Sequence, residues 1–170
     1  MSAAARSAVE GLAFLPIDLA RHAAVCVDFR RDMYLASFGT EAGLEEEMGP
    51  DASLYLAQLA RRLEQLPEGN AHLWRHGEIA GQTEMSLLDE EPGVGYVHLF
   101  YVAPGERGRG LGRLLHQHAA AVFTARGMRR MRLSVGARNE AAIAFYRAAG
   151  WRRVGPRAHR EPMDVMEYAL

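Results

Sequence analysis

Residues 107–112 read Arg-Gly-Arg-Gly-Leu-Gly and join two segments of different periodicity. Before them runs the apolar stretch Tyr96-Val97-His98-Leu99-Phe100-Tyr101-Val102, closed by Ala103-Pro104. After them Leu111, Leu114, Leu115, Ala119, Val122 and Phe123 recur at helical spacing up to Gly127. A strand that ends in a glycine-rich turn and opens a helix commits the chain to a layered α/β arrangement. It also makes a phosphate cradle, because backbone N–H groups at a helix start point at an anion and the helix dipole favours negative charge there.

The remaining segments extend the same reading. Ala13–Ile17 reads as a short strand, with residues 1–10 before it as a loose terminus. Asp18 is placed to cap a helix reaching Phe38, and Gly39–Pro50 reads as an acidic, turn-rich stretch. Asp51 or Ser53 starts a second helix, which Pro67-Glu68-Gly69-Asn70 ends. Ala71–Arg75, Ile79–Leu88 and Val94–Val102 alternate as strands. Met128–Val135 follows as a strand, then a helix from Asn139 to Gly150, then strands at Trp151–Val154 and Met163–Leu170. The fold class is mixed α/β, and 170 residues with 49% hydrophobic content suit one domain with a full core.

Composition excludes several function classes. All 20 basic residues are Arg, so neither a Walker loop nor a Schiff-base lysine is available. Cys26 is alone, which excludes a disulfide framework. No apolar run is long enough to span a membrane, and the N-terminal residues lack a signal-peptide layout, so a cytoplasmic protein is expected. Residues 1–103 carry 7 Arg and 16 acids, whereas residues 104–170 carry 13 Arg and 5 acids. The basic half holds the glycine turn and suits a polyanionic ligand. No basic run is interleaved with aromatic residues, so nucleic acid is not expected. His116 and His118, two apart on a helix, do not face one another, and no metal site is expected.

The glycines alternate at 108, 110 and 112, and Arg113 occupies the third glycine position of a dinucleotide motif. Arg129 and Arg130 stand where such a motif places its acidic ribose ligand. The segment instead resembles the acyl-CoA signature Arg/Gln-x-x-Gly-x-Gly/Ala of the GNAT-family N-acetyltransferases, through Arg107, Gly110 and Gly112. A second block, Asn139, Ala142, Tyr146 and Gly150-Trp151, resembles that family's Asn-x-x-Ala-x-x-x-Tyr-x-x-x-Gly-Phe/Trp segment. The resemblance covers residues 94–155 as the acyl-CoA core and leaves 13–90 as the acceptor side of a single domain, 1–170. It implies a mostly antiparallel twisted sheet of about seven strands, splayed in the middle and flanked by about four helices.

It also implies acetyl-CoA as cosubstrate, without a metal. Gly108, Gly110, Leu111 and Gly112 would shape the cradle, with Arg107, Arg109 and Arg113 adding charge. Phe100 and Val102 would offer backbone groups to the pantetheine arm, and Asn139 would bond the arm while capping its helix. A backbone N–H at Phe100 or beside it would polarise the thioester carbonyl, a contribution of about 3–4 kcal/mol. Tyr146 resembles the family's general acid for the departing thiolate. His98 is a candidate base, on a strand similar to the histidine-bearing strand of arylalkylamine N-acetyltransferases. Strand alternation puts His98 on one face with Tyr96 and Phe100, and Glu84 and a water chain remain alternatives to it as base.

The implied activity is acetyl transfer to a primary amine by direct attack in a ternary complex; the alternative is a catalytically silent acyl-CoA-binding module. The acceptor, a small molecule or a peptide amine, would lie near residues 28–55 and the Gly155–Glu161 loop. Asp28, Asp32, Glu41, Glu45, Glu46 and Glu47 either draw in a cationic amine or form a solvated face. No membrane partner is expected, and dimerisation through the closing strands is open.

Overall fold

The computed structural model describes residues 11–170, so the expected loose terminus at 1–10 lies outside the described residues. Seven strands form one sheet: β1 Leu12–Pro16, β2 Ala71–Arg75, β3 Glu78–Leu87, β4 Val94–Val102, β5 Arg130–Gly136, β6 Arg152–Arg157 and β7 Met163–Ala169. Their order across the sheet is β1-β2-β3-β4-β5-β7-β6. Every neighbouring pair is antiparallel except β4 and β5, which are parallel. Four longer helices flank the sheet: α1 Leu19–Phe38, α3 Ser53–Gln65, α4 Leu111–Ala125 and α5 Glu140–Ala148. A single-turn helix, α2 Leu44–Met48, lies between α1 and α3.

Local chemistry sets most boundaries. The Asp18 side chain accepts from the Arg21 N–H at 3.3 Å, and Gly39 closes α1 with a φ of 69°. The Asn139 side chain accepts from the Ala142 N–H at 3.2 Å and opens α5. The α3 helix starts at Ser53, one of its two expected first residues, without a side-chain cap, and the chain enters it through Asp51 and Ala52 at φ 49° and 58°. The acidic stretch expected as turn contains α2, whose first turn holds Glu45, Glu46 and Glu47. Negative charge there complements the helix N-terminus. β6 runs on to Arg157 instead of ending at Val154, because it is an edge strand and tolerates Pro156 without an N–H.

Two apolar layers hold the sheet. On one face, α4 and α5 bury Leu115, Ala119, Phe123 and Tyr146 against Met85, Val97, Met131, Leu133 and Met166. Gly95 of β4 lies directly beneath the Phe123 ring, so a methyl group there would collide with it. On the other face, α1, α2 and α3 bury Cys26, Tyr34, Leu44, Met48, Tyr55 and Leu59. No helix among the described residues is long and apolar enough to cross a membrane.

Candidate active site

β4 carries the site, and its geometry changes at His98. Opposite it on β3, Met85 pairs with Val97 and Glu84 with Leu99, so His98 is an extra residue without a partner. On the other side β4 pairs with β5 from Val94↔Arg130 to Val97↔Leu133 and no further. β5 continues along β7 through Ser134, Val135 and Gly136. The two central strands therefore part after Val97, which frees one edge of β4 over the stretch that holds Phe100 and Val102.

The extra residue corrects the expected alternation. Tyr96 and His98 face α1: Arg30 of α1 donates to the His98 carbonyl at 3.3 Å, and His98 lines a cavity with Met33 and Tyr34. Phe100 and Val102 instead pack toward α4, beside Leu111 and Leu115. Tyr101 takes the α1 side, stacked on Phe29 and bonded to Asp32 at 2.6 Å. His98 and Phe100 thus lie on opposite faces of the sheet, because one inserted residue shifts the two-residue period.

At the end of β4 the glycine loop turns into α4. Gly108 and Gly110 have φ of 76° and 79°, and a Cβ at either would meet nothing within 4 Å. Gly110 is the N-cap position, and no side chain caps the first turn. The open face and uncapped N–H groups fit a diphosphate. Gly112 has another reason to be small: a Cβ would come 3.3 Å from the Phe145 ring of α5. Leu111 is buried and fixes where the helix start points. The arginines are less free than their spacing suggests. Arg107 donates to the Val102 carbonyl at 3.0 Å and to Asp32 at 3.1 Å, and Arg109 lies 3.7 Å from Glu106. Arg113 borders a groove with Phe145 and Tyr168.

A cavity of about 350 Å³ opens where β4 and β5 part, and Asn139, Tyr146, His98 and Tyr34 all border it. Burial raises the Tyr146 pKa and keeps the phenol protonated. The His98 pKa is held well below its ordinary value, by burial first and then by Arg62, Arg30 and Arg157. Its Nε2 lies 2.7 Å from Ser86 Oγ. Glu84, the alternative base, is fully buried and saturated: Tyr55 donates to it at 2.6 Å, Gln82 at 2.8 Å and Arg62 at 3.0 Å. It anchors the α3 layer to the sheet and does not border the cavity.

Sequence reasoning missed several wall residues. Arg30, Arg62 and Arg157 reach the cavity from α1, α3 and β6, and their roles arise only once these elements meet. Glu47 of α2 bonds His159, whose ring stacks on Phe38. Of the two readings of the six acids, a cationic-amine site and a solvated face, their placement fits the second better, because they are dispersed. Asp28, Glu41 and Glu45 border a separate groove along α1, Asp32 is held by Tyr101 and Arg107, and Glu46 pairs with Arg160. Glu47 alone of the six borders the β4 cavity. His118 stacks on Phe14 and His116 packs near Trp151, in keeping with their expected separation. Among the described residues no cluster of His, Cys, Asp or Glu is arranged to hold a metal.

A parted parallel pair, a glycine loop at its mouth and a tyrosine on its wall define a class of acyl-CoA-dependent transferase folds. The model of the acetyltransferase (GNAT) family matches residues 30–151, and the chain belongs to that family. Over 82 residues it is 37% identical to mycothiol acetyltransferase of Beutenbergia cavernae, a match covering 48% of this chain and 28% of that protein. Over 82 residues it is 38% identical to N-alpha-acetyltransferase RimI of Mycobacterium tuberculosis, covering 48% of this chain and 50% of that one. The matched segment thus spans half or less of these relatives. The fold superposes on PaiA N-acetyltransferase of Thermoplasma acidophilum, solved in complex with coenzyme A, with a TM-score of 0.74. That likeness covers 94% of this chain and 99% of the other at 14% identity, and it shows the shared fold.

Proposed function

We propose that the chain is an acetyl-CoA-dependent N-acetyltransferase that works by direct attack of a primary amine in a ternary complex. The observation that carries this reading is the parting of β4 from β5 after Val97, with Gly108–Gly112 at one end of the gap and Tyr146 on its wall. In this reading the whole chain is one catalytic unit, with 94–155 as the coenzyme side and 13–90 contributing to the acceptor side.

The N–H groups at the start of α4 hold the diphosphate, with Arg109 and Arg113 adding charge; Arg107 chiefly ties the loop to Asp32 and Val102. The freed edge of β4 near Phe100 pairs with the pantetheine arm, and Asn139 bonds it from α5. A freed N–H on that edge polarises the thioester carbonyl, worth about 3–4 kcal/mol. Coenzyme A supplies the acetyl thioester, and no step requires Cys26, which is buried with its thiol pushed up to about 12.

Tyr146 lines the cavity and burial favours its protonated phenol, so it serves as a hydrogen-bond donor to the leaving sulfur. Its raised pKa makes complete transfer uphill, so it acts first as a hydrogen bond to developing negative charge. His98 receives the proton that the attacking nitrogen sheds and, being weakly basic in this setting, releases it to solvent in the cavity, while Ser86 holds the ring.

Calorimetry with coenzyme A and thiol release across an amine panel test the reading. A saturable heat and amine-dependent thiol release are expected; absence of any heat with folded protein would overturn it. Tyr146→Phe should lower kcat about 100-fold while changing coenzyme affinity less than about twofold. An unchanged kcat removes Tyr146 from the chemistry.

A further inference from the structure

We propose that the acceptor is a small amine that also carries an anionic group, a carboxylate or a phosphate, and that Arg30 and Arg157 bind that group in the cavity at the β4 bulge. The inference rests on the transferase reading and specifies what such an enzyme acts on.

Three guanidiniums border the cavity, and their partners differ. Arg62 is neutralised by Glu84 at 3.0 Å. Arg30 donates to the His98 carbonyl at 3.3 Å. Arg157 donates to Tyr96 Oη at 2.8 Å and to Ser134 Oγ at 3.1 Å. Among the described residues neither Arg30 nor Arg157 has a carboxylate within ion-pair distance. Arg157 is exposed, as are the other arginines without such a partner among the described residues, such as Arg31, Arg61, Arg129 and Arg138; what sets Arg157 apart is its place on the cavity wall beside Tyr96 and Ser134. Arg30 is half-buried, and an unpaired cation in that setting calls for an anion. Its one recorded hydrogen-bond partner is the neutral His98 carbonyl, and Glu47, which shares its cavity, lies beyond ion-pair distance.

The single acid on the cavity wall, Glu47, is already bonded to His159. Glu47 makes no ion pair with Arg30 or Arg157, so the wall carries more positive than negative charge. That field has two effects on a bound molecule. It attracts a carboxylate or phosphate into a bidentate guanidinium contact. It also disfavours an ammonium, as it disfavours a protonated His98, and so favours the neutral amine that can attack. A purely cationic diamine meets repulsion without the compensating contact. A volume of about 350 Å³ suits a molecule of amino-acid size beside an acyl arm.

The test measures thiol release from acetyl-CoA with matched acceptors: free amino acids, their carboxamides and the decarboxylated amines, with O-phosphoethanolamine against ethanolamine as the phosphate arm. The anion-bearing member of a matched set should exceed its neutral analogue in kcat/KM by about 100-fold or more. Arg157→Gln, on an exposed edge strand, should cut that ratio at least tenfold, and Arg157→Lys should restore part of it. Carboxamides or diamines that react as well as the free acids would overturn the proposal, as would a ratio indifferent to Arg157→Gln. Absence of both coenzyme binding and thiol release would instead overturn the transferase reading. Calorimetric titration of glutamate and O-phosphoethanolamine then still decides the anion site: heat lost in Arg157→Gln supports it, and no heat with the parent chain overturns it.

Discussion

The two ends of the gap between β4 and β5 handle charge by different means. At the glycine end the positive potential comes from backbone: the start of α4 presents uncapped N–H groups, while Arg107 and Arg109 lie against acids of their own chain. At the bulge end it comes from side chains, with Arg30, Arg62 and Arg157 arriving from three separate elements around His98. Backbone donors are fixed by the fold and differ little with the residue present, provided it permits the conformation. Side-chain donors are chosen residue by residue and can be retuned singly. The first arrangement suits an invariant cosubstrate, and the second suits selection of an acceptor.

That contrast can be broken in order of expected effect. Gly110→Asp should abolish coenzyme binding, by at least about 100-fold in Kd, because it sets a carboxylate at the helix start where the φ is 79°. Its fold should survive, since Asp tolerates the left-handed region at a cost of about 1 kcal/mol. Calorimetry reads the first effect and thermal melting the second; tight binding by this variant would refute the backbone cradle. Arg62→Met should cost about 3 kcal/mol in urea unfolding, because Glu84 is fully buried and loses its countercharge. A loss under about 1 kcal/mol would show that Tyr55 and Gln82 satisfy Glu84 unaided.

The smallest effect is an acid sensitivity on the α1 face. His72 is buried against Cys26 and Gln82, and its pKa is lowered to about 4, chiefly by burial. Between pH 6.5 and 4 the unfolded chain binds the extra proton and the folded one does not, so stability falls as pH drops. At pH 5.5 His72 alone should account for a loss of about 1.4 kcal/mol relative to pH 7.5. His98 shifts in the same direction. Urea unfolding of the parent and of His72→Gln at both pH values checks this, and an equal acid loss in both would exclude His72 as the source.

The glycine end is legible in the sequence because it depends on glycine spacing and helix periodicity, both local. Gly108 and Gly110 do occupy positive φ, and Asn139 does cap α5. The bulge end is not legible, for the complementary reason. Arg30, Arg62 and Arg157 lie far apart in the chain and meet only after α1, α3 and β6 dock, while Asp28, Glu41 and Glu45 turn toward another groove. His98 stands out in the sequence as a strand histidine, but its orientation relative to Phe100 depends on the unpaired residue in β4. A bulge of this kind leaves no mark in a run of apolar residues that continues evenly across it.

That unpaired residue also partitions β4 for anyone who would redesign the chain. Tyr96 and His98 line the bulge cavity and Val97 between them joins the core beneath α4; by Tyr101 the assignment has reversed. A library that varies alternate codons along the strand as one face would therefore scramble two unrelated properties. Dividing it at Leu99 lets the cavity face and the α4 face be varied separately.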